Sequence, residues 1–91
     1  LVARYDLPAT LAQLQALLDY YVQQNMVDAK TAGQLRKHLD QAAAKLAQGN
    51  VAAFRSQLQA FIDQTKDKTP QSVDPDASEQ LIGEAQLILA G

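Results

Sequence analysis

The acids between the third and fourth apolar runs are the side chains most able to bind a metal ion. Asp63, Asp67, Asp74 and Asp76 bracket one polar stretch, and carboxylates grouped near a loop are ligands that Ca²⁺ takes. Their spacing does not match an EF-hand loop. Asp74 also fits a helix N-cap, and Asp76 fits the positive end of a helix dipole. We therefore expect no metal and no cofactor, with a calcium-binding loop as the less favoured alternative.

Acid–base catalysis would need His38, the only histidine. It lies about one helical turn from Leu35 and Leu39, which predicts a position at the border of an apolar face. No acid or nucleophile accompanies it at the spacing of a known catalytic motif. The sequence also contains no phosphate-binding glycine loop, no HExxH and no GxSxG. The pattern therefore predicts a protein that is not an enzyme and has no catalytic residues.

The tyrosines are the remaining candidates, because an exposed aromatic ring can stack on a sugar or anchor a protein partner. With about 100° of rotation per residue, Tyr21 falls inside the apolar stripe of the first helix, whereas Tyr20 points to solvent. Tyr5 precedes that helix, and Leu87 points away from the apolar stripe of the last one. Tyr5 and Tyr20 are therefore the candidate ligand-binding residues. The alternative is that such isolated exposed residues have no function.

Composition limits the partners that the protein can have. The 91 residues carry a formal net charge of −2, no cysteine and 47% hydrophobic residues. Basic residues alternate with acids along the chain, which argues against the clustered basic face of a nucleic-acid-binding protein. No apolar run approaches the length of a membrane span, which argues against membrane insertion. The abundant glutamines are assigned to solvated helix faces, although amides can also hydrogen-bond sugar hydroxyls.

Four apolar runs recur at i, i+3, i+4 and i+7 and predict four helices. They cover about Leu7–Val22, Ala32–Leu46, Val51–Thr65 and Ala77–Leu89, and a polar loop, Lys66–Val73, separates the last two. Short connections make consecutive helices antiparallel. The prediction is an all-α fold, an up-and-down bundle of four helices with a three-helix core plus a C-terminal helix. Residues 1–6 are interpreted as the end of a linker from a longer protein, and residues 7–91 as a single helical bundle domain.

The helix boundaries carry signals of their own. Gly49 supplies a left-handed residue after the second run, and Asn50 supplies a side-chain oxygen for the first amides of the next helix. Asp74 and Pro75 form an N-cap and first-turn pair before the fourth run. Asn25, which tolerates the left-handed region, suits the end of the first helix. Gly49, Asn50, Asp74 and Pro75 are therefore predicted to be structural caps rather than the rim of a site.

One short segment occurs twice. Gln13–Asp19 reads QLQALLD and Gln57–Asp63 reads QLQAFID. The flanking residues do not follow, because Leu35 and Leu39 have no counterparts at the same offset in the fourth run. We interpret the repeat as two helices that pack in the same way, and a duplicated helix pair is the alternative.

A pattern of core and cap positions extends through the chain: Leu14, Leu17, Leu18, Tyr21, Ala42, Leu46, Gly49, Asn50, Leu58, Phe61, Ile62, Val73, Asp74, Pro75, Leu81, Ile82, Ala85 and Ile88. Together with the segment KLAQGNVAAFRSQLQAFIDQ, it resembles the FIMAH-type domains. These are small all-helical modules near the C-termini of secreted and cell-surface bacterial proteins, several of which degrade polysaccharides. Asn25 and Phe54 depart from the family pattern, which often has glycine and alanine there.

The resemblance implies an exported accessory domain attached to other domains, and it carries over no functional residues. We expect a non-catalytic interaction module of a larger secreted bacterial protein, outside the cell or at the cell surface. Its expected partner is a glycan or a cell-surface protein. The alternative is a structural spacer or folding-support domain without a ligand.

Overall fold

The computed structural model of the protein describes residues 11–90. In this range the chain forms four α-helices: α1 (Leu11–Gln23), α2 (Ala29–Ala47), α3 (Val51–Asp67) and α4 (Pro75–Ala90). Each helix packs on the next one and α4 also packs on α1, whereas the diagonal pairs α1–α3 and α2–α4 do not approach each other closely. The all-α bundle of four helices predicted from the sequence is confirmed.

The predictions that concern Tyr5, the start of the first helix at Leu7, and the linker at residues 1–6 lie outside the described residues.

The core lies between the four helices and is almost entirely aliphatic. Its buried apolar residues are Leu14, Leu18, Val27, Ala32, Leu35, Leu39, Ala42, Phe54, Leu58, Phe61, Ile62, Val73, Ala77, Leu81 and Ala85. They recur every three or four positions, so each helix turns one stripe inward. The alanines let neighbouring helix backbones approach closely, and α4 closes one side of the core with Ala77, Leu81 and Ala85.

Two residues assigned to the apolar faces of the second and third runs are exposed. Leu46 is 48% exposed and Val51 is 54% exposed, so their assignment to the core is wrong. Leu46 lies in the last turn of α2, and Val51 is the first residue of α3. Both side chains therefore lie at the corner beyond the last layer of the core, although their helical periodicity places them on the correct stripe.

The corner between α2 and α3 is built by backbone conformation. Gly49 has φ +79°, in the left-handed region, where a residue with a Cβ is strained. The Oδ1 atom of Asn50 accepts a hydrogen bond from the Ala53 amide at 3.1 Å and caps α3. Asn25, after α1, is also left-handed, with φ 60°. These are the conformations that the sequence predicts for Gly49, Asn50 and Asn25.

The starts of α2 and α4 use aspartate. Asp28 caps α2, and its carboxylate accepts from the Thr31 amide at 3.3 Å. Asp74 accepts from the Asp76 amide at 2.9 Å, immediately before Pro75 opens α4. Both carboxylates therefore satisfy helix amides that would otherwise lack a partner.

The two loops at this end of the bundle are joined by an isolated antiparallel bridge between Val27 and Val73. The amide after each valine donates to the carbonyl before the other valine, and both N···O distances are 2.7 Å. Both valine side chains are buried. The bridge therefore connects the first half of the bundle, α1 and α2, to the second half, α3 and α4.

The similarity between the two halves of the chain extends beyond the repeated segment QLQALLD/QLQAFID. Within QLQALLD and QLQAFID, Leu14 and Leu18 are buried, as are Leu58 and Ile62, which confirms that the two helices pack in the same way. The segment between α3 and its bridge valine is two residues longer than the segment after α1.

With that shift, four of the five buried positions of α2 match the four buried positions of α4: Thr31 with Ala77, Ala32 with Ser78, Leu35 with Leu81, and Leu39 with Ala85. The fifth, Ala42, matches the half-buried Ile88. At the offset of the repeat itself, Leu35 and Leu39 fall on Glu79 and Gly83, as the sequence indicates. Their buried counterparts lie two residues further along, because the longer connection shifts the register.

Candidate functional site

Tyr20 forms an aromatic ledge on the outside of α1. Its side chain is 53% exposed, and its ring meets the ring of Tyr21 edge-on, with the centroids 5.4 Å apart and the planes at 65°. Tyr21 is half-buried and packs on the core. The ledge therefore combines an exposed ring face with a ring that is held against the bundle, and this is the orientation that the sequence predicts for both tyrosines.

The surroundings of the ledge raise the pKa of the Tyr21 phenol. Burial raises the pKa of Tyr21 above its ordinary value of 10.0, and the nearby Tyr20 and Asp76 raise it further. Asp76 lies in the first turn of α4, so the ledge faces the start of that helix. A phenol is protonated at neutral pH with or without this shift, so the Tyr21 hydroxyl can donate a hydrogen bond as well as accept one.

His38 occupies the predicted border position on α2, half-buried beside the core. Its Nδ1 lies 3.2 Å from the side-chain oxygen of Gln57 on α3. An amide cannot exchange protons as a carboxylate does, so this contact fixes the imidazole ring but does not form a catalytic dyad. The hydrogen bond ties α2 to α3.

A surface groove of about 380 Å³ runs beside this contact, and we call it the basic groove. It is lined by Lys30, Gly33, Gln34, Lys37, His38 and Gln64. Helical spacing places Lys30 and Lys37 two turns apart on one face of α2. Arg36 lies on the other flank, where it pairs with Asp19 of α1. The basic groove therefore combines cationic and amide side chains without an acid or an apolar side chain.

One atom of this groove lacks a partner. Gln64 donates from Nε2 to Oε1 of Gln34 at 2.7 Å, whereas its own Oε1 is buried and accepts no hydrogen bond. A buried acceptor without a donor costs about 1–3 kcal/mol. Gln64, which lines the groove, therefore carries a buried acceptor that no group in the described range satisfies.

The acids that were considered as calcium ligands include a helix cap. Asp74 lines a groove of about 530 Å³ between the two bridged loops, together with Asp28 and Asn25. Asp28 and Asp74 already accept from helix amides. Within residues 11–90, no three acidic or histidine side chains are grouped closely enough to hold a metal ion.

A third groove, of about 550 Å³, lies along the outer face of α4. Glu79 and Glu84 line it, together with Ile82, Gly83 and Leu87. Leu87 is 60% exposed, in agreement with its predicted outward direction. This groove is acidic where the basic groove is cationic, although the two helices occupy equivalent places in the two halves.

Among the helices of residues 11–90, none is both long and apolar enough to cross a bilayer.

The sequence from residue 11 to residue 90 matches the FIMAH domain family. The match covers all four helices and both bridged loops. The protein belongs to the FIMAH domain family. No curated protein and no solved structure matches the chain, so the family membership rests on this match together with the all-helical fold.

Sequence reasoning found the ledge of this FIMAH domain but missed its basic groove. The spacing of Lys30 and Lys37 was the available signal, because two lysines seven residues apart share a helix face. Gln64 gave no such signal, since it comes from another helix. Tyr5 lies outside the described residues, so the structure does not place it beside Tyr20.

Proposed function

We propose that this FIMAH domain is a non-catalytic interaction module of a larger secreted bacterial protein, and that it binds a glycan at or outside the cell surface. The exposed ring of Tyr20 is the observation that carries the proposal. Tyr20 is one of four large apolar side chains exposed in the described range, and it alone among them is aromatic. An aromatic face stacks on the apolar face of a sugar ring while its hydroxyl stays available for hydrogen bonding.

The buttress behind Tyr20 supports a binding role. A ring that is fixed by an edge contact loses less conformational freedom when a ligand binds than a freely rotating ring does. Tyr21 supplies that contact and is itself anchored by the core. A non-catalytic role is supported by His38, whose side-chain partner is an amide.

A glycan array with the 91-residue chain tests the proposal. The parent should bind at least one class of glycan, Tyr20→Ala should lose most of that binding, and Tyr20→Phe should keep it, because the stacking face remains. Leu87→Ala is the matched control, since it also shortens an exposed large side chain but lies on α4.

Two results would count against this function. Equal binding by the parent and Tyr20→Ala would remove the ledge from the site. An absence of binding to every glycan and to bacterial cell-surface proteins would instead favour a spacer or folding-support domain without a ligand.

A further inference from the structure

We propose that the basic groove binds an acidic saccharide, a sugar unit that carries both a carboxylate and hydroxyl groups. The proposal rests on the glycan-binding function proposed above. It adds that the ligand is negatively charged and that it contacts a second surface, the basic groove. None of the observations behind it concerns Tyr20.

The charge of the groove argues for an anion. Lys30 and Lys37 form no ion pair with any residue in the described range, although the chain as a whole has a net charge of −2. None of the residues that line the groove is acidic. Two cations that keep their charge uncompensated at a shared surface attract a carboxylate, most strongly at low ionic strength.

The unpartnered amide argues for a hydroxyl. Oε1 of Gln64 is an acceptor and needs a donor, which a carboxylate cannot supply. Gln34, whose Oε1 accepts from Nε2 of Gln64, is exposed, so its side chain can move and let the Gln64 amide turn towards the groove. A sugar hydroxyl then donates to Oε1 of Gln64 while the carboxylate of the same or a neighbouring sugar unit meets a lysine.

The shape of the groove provides room for a chain of sugars. A Cβ built on Gly33 has no atom within 4 Å, so the floor between the two lysines is open. Lys30 and Lys37 are separated by about 10 Å along the helix axis. A polysaccharide with carboxylates along its length can therefore meet both cations at once.

An acidic peptide is the competing ligand, and the lining disfavours it. Peptide-binding grooves supply apolar pockets for side chains or an exposed strand edge for the backbone. The basic groove has neither, since all its lining side chains are cationic or amides apart from Gly33 and the imidazole of His38. The apolar part of the lining comes from the carbon atoms of these same residues, chiefly the stems of the lysines and glutamines, so the groove offers no pocket for a large apolar side chain of a peptide.

Titration calorimetry at low ionic strength tests the proposal on the 91-residue chain, with an oligosaccharide of galacturonic acid as the probe. The matching oligosaccharide of galactose supplies the hydroxyls without the carboxylates, and polyglutamate supplies the carboxylates without the hydroxyls. The galacturonate probe should bind more tightly than either, and its Kd should rise as salt is added.

Substitutions locate the binding. Lys30→Gln combined with Lys37→Gln should weaken galacturonate binding by roughly tenfold, because each exposed cation–carboxylate contact contributes a factor of a few. Gln64→Leu should weaken it as well, and Gly33→Gln should block the groove without harming the helix. Lys66→Gln is the matched control, since Lys66 is an exposed cation on α3 outside the groove.

Three outcomes overturn the proposal. Polyglutamate that binds as tightly as galacturonate would assign the groove to a protein partner. If Lys66→Gln loses as much galacturonate affinity as the double lysine variant, the loss reflects the net charge of the protein and not the groove. If galacturonate does not bind at all, acidic saccharides are not the ligand class. A Tyr20→Ala variant separates the two proposals. If the groove variants lose galacturonate binding and Tyr20→Ala binds galacturonate as the parent does, only the role of Tyr20 is refuted.

Discussion

Helices α2 and α4 have the same place in the two halves of the bundle, yet their outer faces carry opposite charge. The charged residues of α2 are Lys30, Arg36, Lys37, Asp40 and Lys45. Those of α4 are Asp76, Glu79 and Glu84. Four of the five buried positions of α2 nevertheless have a buried counterpart in α4 once the longer loop is taken into account.

The difference separates what the fold requires from what it leaves open. Inward positions are constrained, because a core at organic-crystal density tolerates little change in volume. Outward charges have small effects on stability, so the fold itself does not determine them. A basic face on one half and an acidic face on the other are therefore features that a ligand can use without altering the bundle.

The largest test of the comparison is the core. Leu35 and Leu81 are fully buried at equivalent positions, so Leu35→Ala and Leu81→Ala should each lower the free energy of unfolding by about 2–5 kcal/mol. Urea denaturation measures both. Leu87→Ala, an exposed control on α4, should stay within about 0.5 kcal/mol of the parent. A Leu81 variant that resembles Leu87→Ala would break the equivalence of the two halves.

The next test concerns the corner that joins the halves. Gly49→Ala should destabilise the protein by about 1–2 kcal/mol, because alanine is strained in the left-handed region. Gly33→Ala should stabilise it by about 0.5–1 kcal/mol, since Gly33 lies in a helix with open space around its Cα. Thermal unfolding of the two variants compares them directly. Shifts of the same sign would contradict the left-handed assignment of Gly49.

The two aspartate caps give a smaller effect. Asp28→Ala and Asp74→Ala should each cost about 1 kcal/mol, because each leaves helix amides without an acceptor. The asparagine variants at both positions should retain most of the stability, since the amide oxygen can accept the same hydrogen bonds. Unfolding midpoints in urea measure both effects. A lower midpoint in only one of the two alanine variants would contradict the equal role of the two caps.

The smallest expected effect is the dependence of stability on pH that Tyr21 of α1 causes. The pKa of Tyr21 is raised in the folded protein, so the folded state keeps a phenol proton that the unfolded chain loses above pH 10.0. Stability is therefore unaffected at neutral pH and falls as the pH rises from 10.0 through the folded-state pKa. Tyr21→Phe should lose less stability than the parent in that range, as followed by circular dichroism. A parallel decline in both proteins would contradict the raised pKa.

Much of the architecture was predictable because it is local. The four helices follow from apolar periodicity, and the ends at Gly49 and Asp74 follow from residues with a single strong conformational or capping preference. The exposure of Tyr20 and Leu87 follows from helical angles alone. The same rules failed for Leu46 and Val51, because periodicity predicts the direction of a side chain and not whether a neighbouring helix reaches it.

The features that were missed depend on how separate helices are aligned. The Val27–Val73 bridge needs two loops to meet, and neither valine has a sequence signal for its partner. The basic groove needs Gln64 of α3 to lie beside Gln34 of α2. The interleaving of basic and acidic residues along the chain concealed it, because the fold sorts those charges onto different faces.

The Val27–Val73 bridge should make the two halves of the bundle open together. Its hydrogen bonds join backbone atoms only, so exchanging either valine for another residue that fits the core leaves the link intact. Neither half can separate from the other without breaking it. The amides of Asp28 and Asp74 should consequently show the same protection against deuterium exchange. Both would then report a single opening event shared by residues far apart in the chain.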